Sequence, residues 1–166
     1  MLMSKPGSLR ADAFQTLPEF AVAALGALDP SQLGPDPDEQ HWQMEFYKAM
    51  CTILPIGTHV QVNVGSSFGS PGRLDFRVNG TRQWAIELLV NGDRMKEHIQ
   101  RFEEGGIYHE ITTKEKLILD FRTIKQSGVR KERPDWVWHI IFNQNLPCIT
   151  IKRAGHQDIS LTLKAR

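Results

Sequence analysis

Two stretches, Leu74-Asp75-Phe76-Arg77-Val78 and Gln83-Trp84-Ala85-Ile86-Glu87-Leu88-Leu89-Val90, decide how this chain folds. The first alternates in polarity, as a strand with one covered face does. The second is more continuously apolar, as a strand buried on both faces is. Asn79-Gly80 lies between them, and this dipeptide is a strong short-range hairpin signal. Each strand carries one carboxylate, Asp75 and Glu87. A carboxylate among apolar strand residues costs on the order of several kcal/mol unless something satisfies it. The hairpin sets the two acids on neighbouring strands, at an expected separation of roughly 4–6 Å, the span of a bridging Mg²⁺. Mg²⁺ or Mn²⁺ would relieve their repulsion, activate a water and stabilise charge on a phosphate. The alternative is an ion pair with Arg73, Arg77 or a helix arginine that holds the sheet together.

Outward from this hairpin, the elements alternate in type. His59 to Val64 places three valines on one side and polar groups on the other, which predicts a half-buried strand. Upstream, Trp42, Phe46, Ala49, Met50 and Ile53 form a helical stripe, which predicts a helix over Glu39 to Leu54. Asp38-Glu39 suits its start, and Pro55 and Gly57 end it. Before it come three prolines at positions 30, 35 and 37, a helix-stopping linker. Phe14 to Leu28 reads as a short helix. These features divide the chain into an N-terminal helical segment with a Pro-rich linker, 1–38, and a main domain, 39–166. Downstream, Asn91-Gly92-Asp93 is a turn and helix cap, and a helix from Arg94 to about Glu104 sets Met95, Ile99 and Phe102 inward. Gly105-Gly106 stops it. Strands follow at 116–121, 136–142, 149–152 and 159–163. The class is α/β.

The 166 residues suit one hydrophobic core. Twenty basic against nineteen acidic side chains leave a formal charge of +1. That excludes a global basic field, so a nucleic-acid surface would be a local patch. Cys51 and Cys148 are expected as buried free thiols, with no Cys/His cluster for zinc. Residues 1–10 lack the apolar run of a secretory signal. Phe20 to Leu28 falls short of the ~20 residues of a membrane span. An intracellular protein with no membrane association is expected. Ser66 and Ser67 lack a triad signature, and Gly65 to Gly72 lacks the Gly-Lys-Ser/Thr ending of a phosphate loop.

The acids and the element order resemble the PD-(D/E)XK nuclease superfamily. Gly72-Arg73-Leu74-Asp75 matches the first part of its motif and Glu87-Leu88-Leu89 the second, with Leu89 where the lysine belongs. Leu74-Asp75-Phe76, Trp84 to Leu89, Gly92-Asp93, Glu97 to Phe102 and Gly106-Ile107-Tyr108 are similar to the C-terminal domains of fungal and oomycete Crinkler-type effectors. Trp138-His139-Ile140-Ile141-Phe142 is similar to them too. The likeness spans about residues 39–163. It implies a restriction-endonuclease-like core: helix, three-stranded antiparallel meander, helix, and further strands in a mixed central sheet flanked by helices. It also implies Asp75 and Glu87 as metal ligands, with Glu45 on the first helix completing the site. The superfamily's lysine polarises the attacking water, which leucine cannot do. Divergent members supply the cation from the following helix, where Arg94, His98 and Arg101 share one face. Such arginines could bind phosphate bidentately.

A basic run, Arg122, Lys125, Arg130, Lys131 and Arg133, reads either as a solvated loop or as a track for phosphates. Two functions follow. One is a Mg-dependent nuclease acting on DNA. The other is an inactive pseudo-nuclease effector module that binds nucleic acid or a host protein, in the cytoplasm or the host nucleus. A weaker third reading is an accessory domain in a larger ATPase-linked protein.

Overall fold

The computed structural model describes residues 14–123, 133–143, 145 and 147–166. Helix α1 (Leu17–Gly26) starts at Thr16, whose side chain accepts from the Glu19 amide. Helix α2 (Glu39–Ile53) starts at Asp38, whose carboxylate accepts from the His41 amide at 2.8 Å. Such caps satisfy donors that have no partner within the helix. Seven strands follow: β1 (Val60–Val64), β2 (Leu74–Val78), β3 (Trp84–Val90), β4 (Glu115–Thr123), β5 (Val137–Asn143), β6 (Cys148–Arg153) and β7 (Ile159–Thr162). Helix α3 (Met95–Arg101) lies between β3 and β4. The strands form one sheet in sequence order. β3, β4 and β5 are parallel neighbours, and every other pairing is antiparallel. The protein is therefore α/β with a mixed sheet.

Alternation along the strands sorts the core into two sides. Trp84, Ile86, Leu88, Leu117, Leu119 and Phe121 pack with α1 and α2. Leu89, Ile118 and Val137 pack with Met95 and Ile99 of α3. Trp42 of α2 stacks on Phe121 with ring centroids 4.2 Å apart. Burying each such side chain contributes about 1.5–3 kcal/mol. Helix α1 belongs to the same core as α2: Phe20 lies against Trp84, and the Leu17 amide donates to Glu115.

Several expectations are corrected in detail. β1 is an edge strand covered only in part: Val64 is buried and Val60 half-buried, as expected, but Val62 is 51% exposed. Among the described residues only β2 flanks it, and of its three valines Val62 alone is exposed. The link from β2 to β3 runs from Asn79 to Gln83, longer than a two-residue turn, although Gly80 does take the left-handed φ of +75°. Helix α3 ends at Arg101, before Gly105-Gly106, and begins after Arg94, whose φ of +47° leaves it without a side-chain cap. The cysteines are free but not buried: Cys51 is exposed and Cys148 half-buried. No helix among the described residues is long and apolar enough to cross a membrane.

Candidate functional site

Glu87 leaves β3 on the α3 side and is only 2% exposed. Helix α3 answers its charge. His98 Nδ1 lies 2.5 Å from Glu87 Oε1, and Arg101 Nη1 donates to the same oxygen at 2.7 Å. These two residues are three apart, so one helical face delivers both. Burial is the largest influence on the Arg101 charge and opposes it, but the Glu87 carboxylate and Tyr108 together outweigh it and hold the guanidinium pKa above its usual value. Tyr108 closes the group: its hydroxyl donates to the Arg73 carbonyl at 2.8 Å and receives Arg101 Nη1 at 3.4 Å. Burial first, then the Glu87 charge, pushes the Tyr108 pKa up. Glu87 Oε2 is buried and has no hydrogen-bond partner among the described residues.

Asp75 is held differently. The β2–β3 ladder registers Phe76 with Ile86, and just beyond it the Leu88 amide donates to Asp75 Oδ2 at 2.8 Å. The side chain thus takes a bond that the ladder no longer supplies. Gln43 of α2 donates to Oδ1 at 3.1 Å. Asp75 and Glu87 accordingly draw side-chain partners from helices on opposite sides of the sheet, and among the described residues no side chain bonds to both. Their charges still interact. The Asp75 pKa is raised to about 7: burial is the largest cause, the Leu88 amide pulls against it, and the Glu87 and Glu39 charges add to the rise. Two carboxylates that compete in this way, with one oxygen unclaimed, are a suitable acceptor set for a divalent cation. No cluster of three or more His, Cys, Asp or Glu side chains suited to a metal occurs among the described residues, so water or phosphate oxygens would have to complete the shell.

The other candidate residues fall elsewhere or have other partners. Glu45 is buried on α2 and pairs with Lys48 Nζ at 2.7 Å. Arg94 stands 59% exposed beside Asp93 and Glu97, apart from His98 and Arg101 in its partners. Leu89, where the resemblance leads one to expect a lysine, packs against Met95, Ile99, Ile118 and Val137. Arg122 Nε donates to Asp120 Oδ2 at 2.5 Å, and Arg133 is half-buried. Lys125, Arg130 and Lys131 lie outside the described residues.

A second buried group escaped the sequence reading. Asp120 of β4 is fully buried, with His139 Nδ1 2.8 Å from its Oδ2 and the Gly92 amide donating to its Oδ1 at 2.7 Å. The signal that singled out Glu87, an acid inside an apolar strand, was equally present in Leu119-Asp120-Phe121. Tyr108 and Gln43 carried no comparable local signal. No family model matches the chain, and no curated protein or solved structure is significantly similar to it.

Proposed function

We propose that this domain binds nucleic-acid phosphodiesters, DNA foremost, at a divalent-cation centre formed by Asp75 and Glu87, as a nuclease-like module of the PD-(D/E)XK kind. The observation that carries the reading is the strained acid pair: an Asp75 carboxyl raised to about 7 beside a buried Glu87 with one oxygen unpartnered. The element order also supports it, since α2, the β1–β2–β3 meander, α3 and a parallel β4 follow the restriction-endonuclease-like sequence of elements. Asp75 and Glu87 Oε2 would hold Mg²⁺ or Mn²⁺. The ion would supply charge neutralisation at a phosphate and a more acidic water. His98 and Arg101 fix the Glu87 carboxylate so that Oε2 stays in place. Gln43 and the Leu88 amide do the same for Asp75.

One observation favours the non-hydrolytic version of this module. Leu89 is packed in the core, and His98 and Arg101 are both bonded to Glu87, so among the described residues no lysine is paired with either acid to polarise water. Binding without turnover would suit an effector module acting on nucleic acid or a host protein. Plasmid nicking with Mg²⁺ or Mn²⁺, alongside cation binding by calorimetry, separates the two. Cleavage lost in Glu87→Gln supports the nuclease. Cation-dependent DNA binding without cleavage supports the pseudo-nuclease. Absence of cation binding and of DNA binding at low salt would overturn the phosphodiester reading and leave the protein partner.

A further inference from the structure

The two ends of the sheet are protected unequally. β7 is bracketed by the charged Asp158 and Lys164, whereas β1 has no charged residue from Val60 to Val64. Charges on or beside an edge strand are a common guard against pairing with another chain. Among the described residues, five large apolar side chains are exposed, and four of them, Met44, Tyr47, Ile56 and Val62, lie on α2, on β1 or on the link between them. Val62 registers with Phe76 across the ladder, and Tyr47 stacks on that same ring at 6.4 Å. Exposed Tyr47 and Val62 thus share the Phe76 ring at this edge of the sheet. A concentration of this kind marks an interaction surface rather than ordinary scatter.

The backbone of β1 is oriented to receive a strand. The Asn79 amide donates to the His59 carbonyl at 3.1 Å, and the His59 amide donates to Asn79 Oδ1 at 3.1 Å, so His59 directs both its groups toward β2. By alternation, Val60 and Val62 direct theirs outward. We infer that β1 is a self-pairing edge: a second copy of this chain adds antiparallel to it, about a two-fold axis at Val62. The occupant follows from the strand itself. Val60-Gln61-Val62-Asn63-Val64 has the same chemistry read in either direction, so the axis sets Val62 against Val62, Val60 against Val64 and Gln61 against Asn63. Isologous contacts require this self-complementarity. Asn63 takes a φ of +50°, and the β1–β2 ladder nonetheless resumes beyond it, with Val64 registered against Leu74.

The test is sedimentation of the whole chain over a concentration series, without metal or nucleic acid. Concentration-dependent dimers are expected, and Val62→Lys should leave only monomer with its melting temperature unchanged. Register is read by cysteine pairing in a Cys51→Ser, Cys148→Ser background. Directly opposed Cβ atoms lie about 4.5–5.5 Å apart and a disulfide spans about 3.5–4.5 Å, so a small closing of the two strands joins them. Val62→Cys should therefore cross-link to itself under mild oxidation. Gln61→Cys should cross-link only when mixed with Asn63→Cys. A monomer at every concentration, a dimer indifferent to Val62→Lys, or cross-linking without this register would overturn the inference.

Discussion

Glu87 and Asp120 are the most deeply buried carboxylates of the sheet among the described residues, and each collects a histidine Nδ1 and an arginine on one oxygen. The difference lies in the other oxygen. Asp120 Oδ1 accepts from the Gly92 amide, so the carboxylate ties the turn after β3 to β4 and β5. Glu87 Oε2 accepts nothing. The same three kinds of group, a carboxylate, a histidine and an arginine, therefore make a strap in the middle of the sheet and a site with spare acceptor capacity one strand away. The position of the neighbouring backbone separates them, because a backbone amide that is already fixed satisfies a carboxylate without recruiting an ion. His139 Nε2 is the unpartnered atom of the Asp120 group, so that group's open position is on a nitrogen rather than a carboxylate.

Removing the Asp120 carboxylate should have the largest effect. Asp120→Ala would leave Arg122 and His139 without their acid, and breaking such a buried pair costs about 3–5 kcal/mol. Denaturant unfolding measures this directly, and a cost near zero would show that the group is no strap. Glu87→Gln should cost less, about 1–3 kcal/mol, because the amide oxygen still accepts from Arg101. It should also erase the thermal stabilisation by Mg²⁺ that Asp120→Asn retains. If both variants kept that response, Glu87 would not be a cation ligand.

Asp75 sharpens the contrast through pH. Its carboxyl lies at about 7 in the fold against 3.8 for an unperturbed aspartate, chiefly because it is buried. Between those values the folded chain keeps a proton that the unfolded chain has released. Its contribution is therefore fully present below about 3.8 and is lost as pH rises through about 7. Asp75→Asn should flatten that part of the stability profile, and unfolding series at stepped pH read the slope. An unchanged slope would place the titration elsewhere. The smallest effect expected is that of Tyr108→Phe, which loses the bond to the Arg73 carbonyl, worth about 0.5–1.5 kcal/mol. Thermal melting would register it, and it should leave the Asp120 group untouched.

Much of this molecule is written locally. The stripe from Trp42 to Ile53, the caps at Asp38 and Thr16, and the apolar run of β3 depend on residues a few positions apart, so period and turn chemistry place α2 and β3 within a residue or two of their observed ends. The same holds for an acid on each of β2 and β3. The sequence also put His98 and Arg101 on one face of α3. It could not distribute their bonds, because that depends on how close α3 comes to β3. Packing brings both onto Glu87 Oε1 and leaves Arg94, nominally on the same face, beside Asp93 and Glu97 in solvent. Tertiary structure alone also decided that Val62 lies bare, since coverage of a strand face depends on what stands over it. It likewise decided that Asp75 titrates near neutrality, because a carboxyl's pKa answers to burial and to charges brought near from distant parts of the chain.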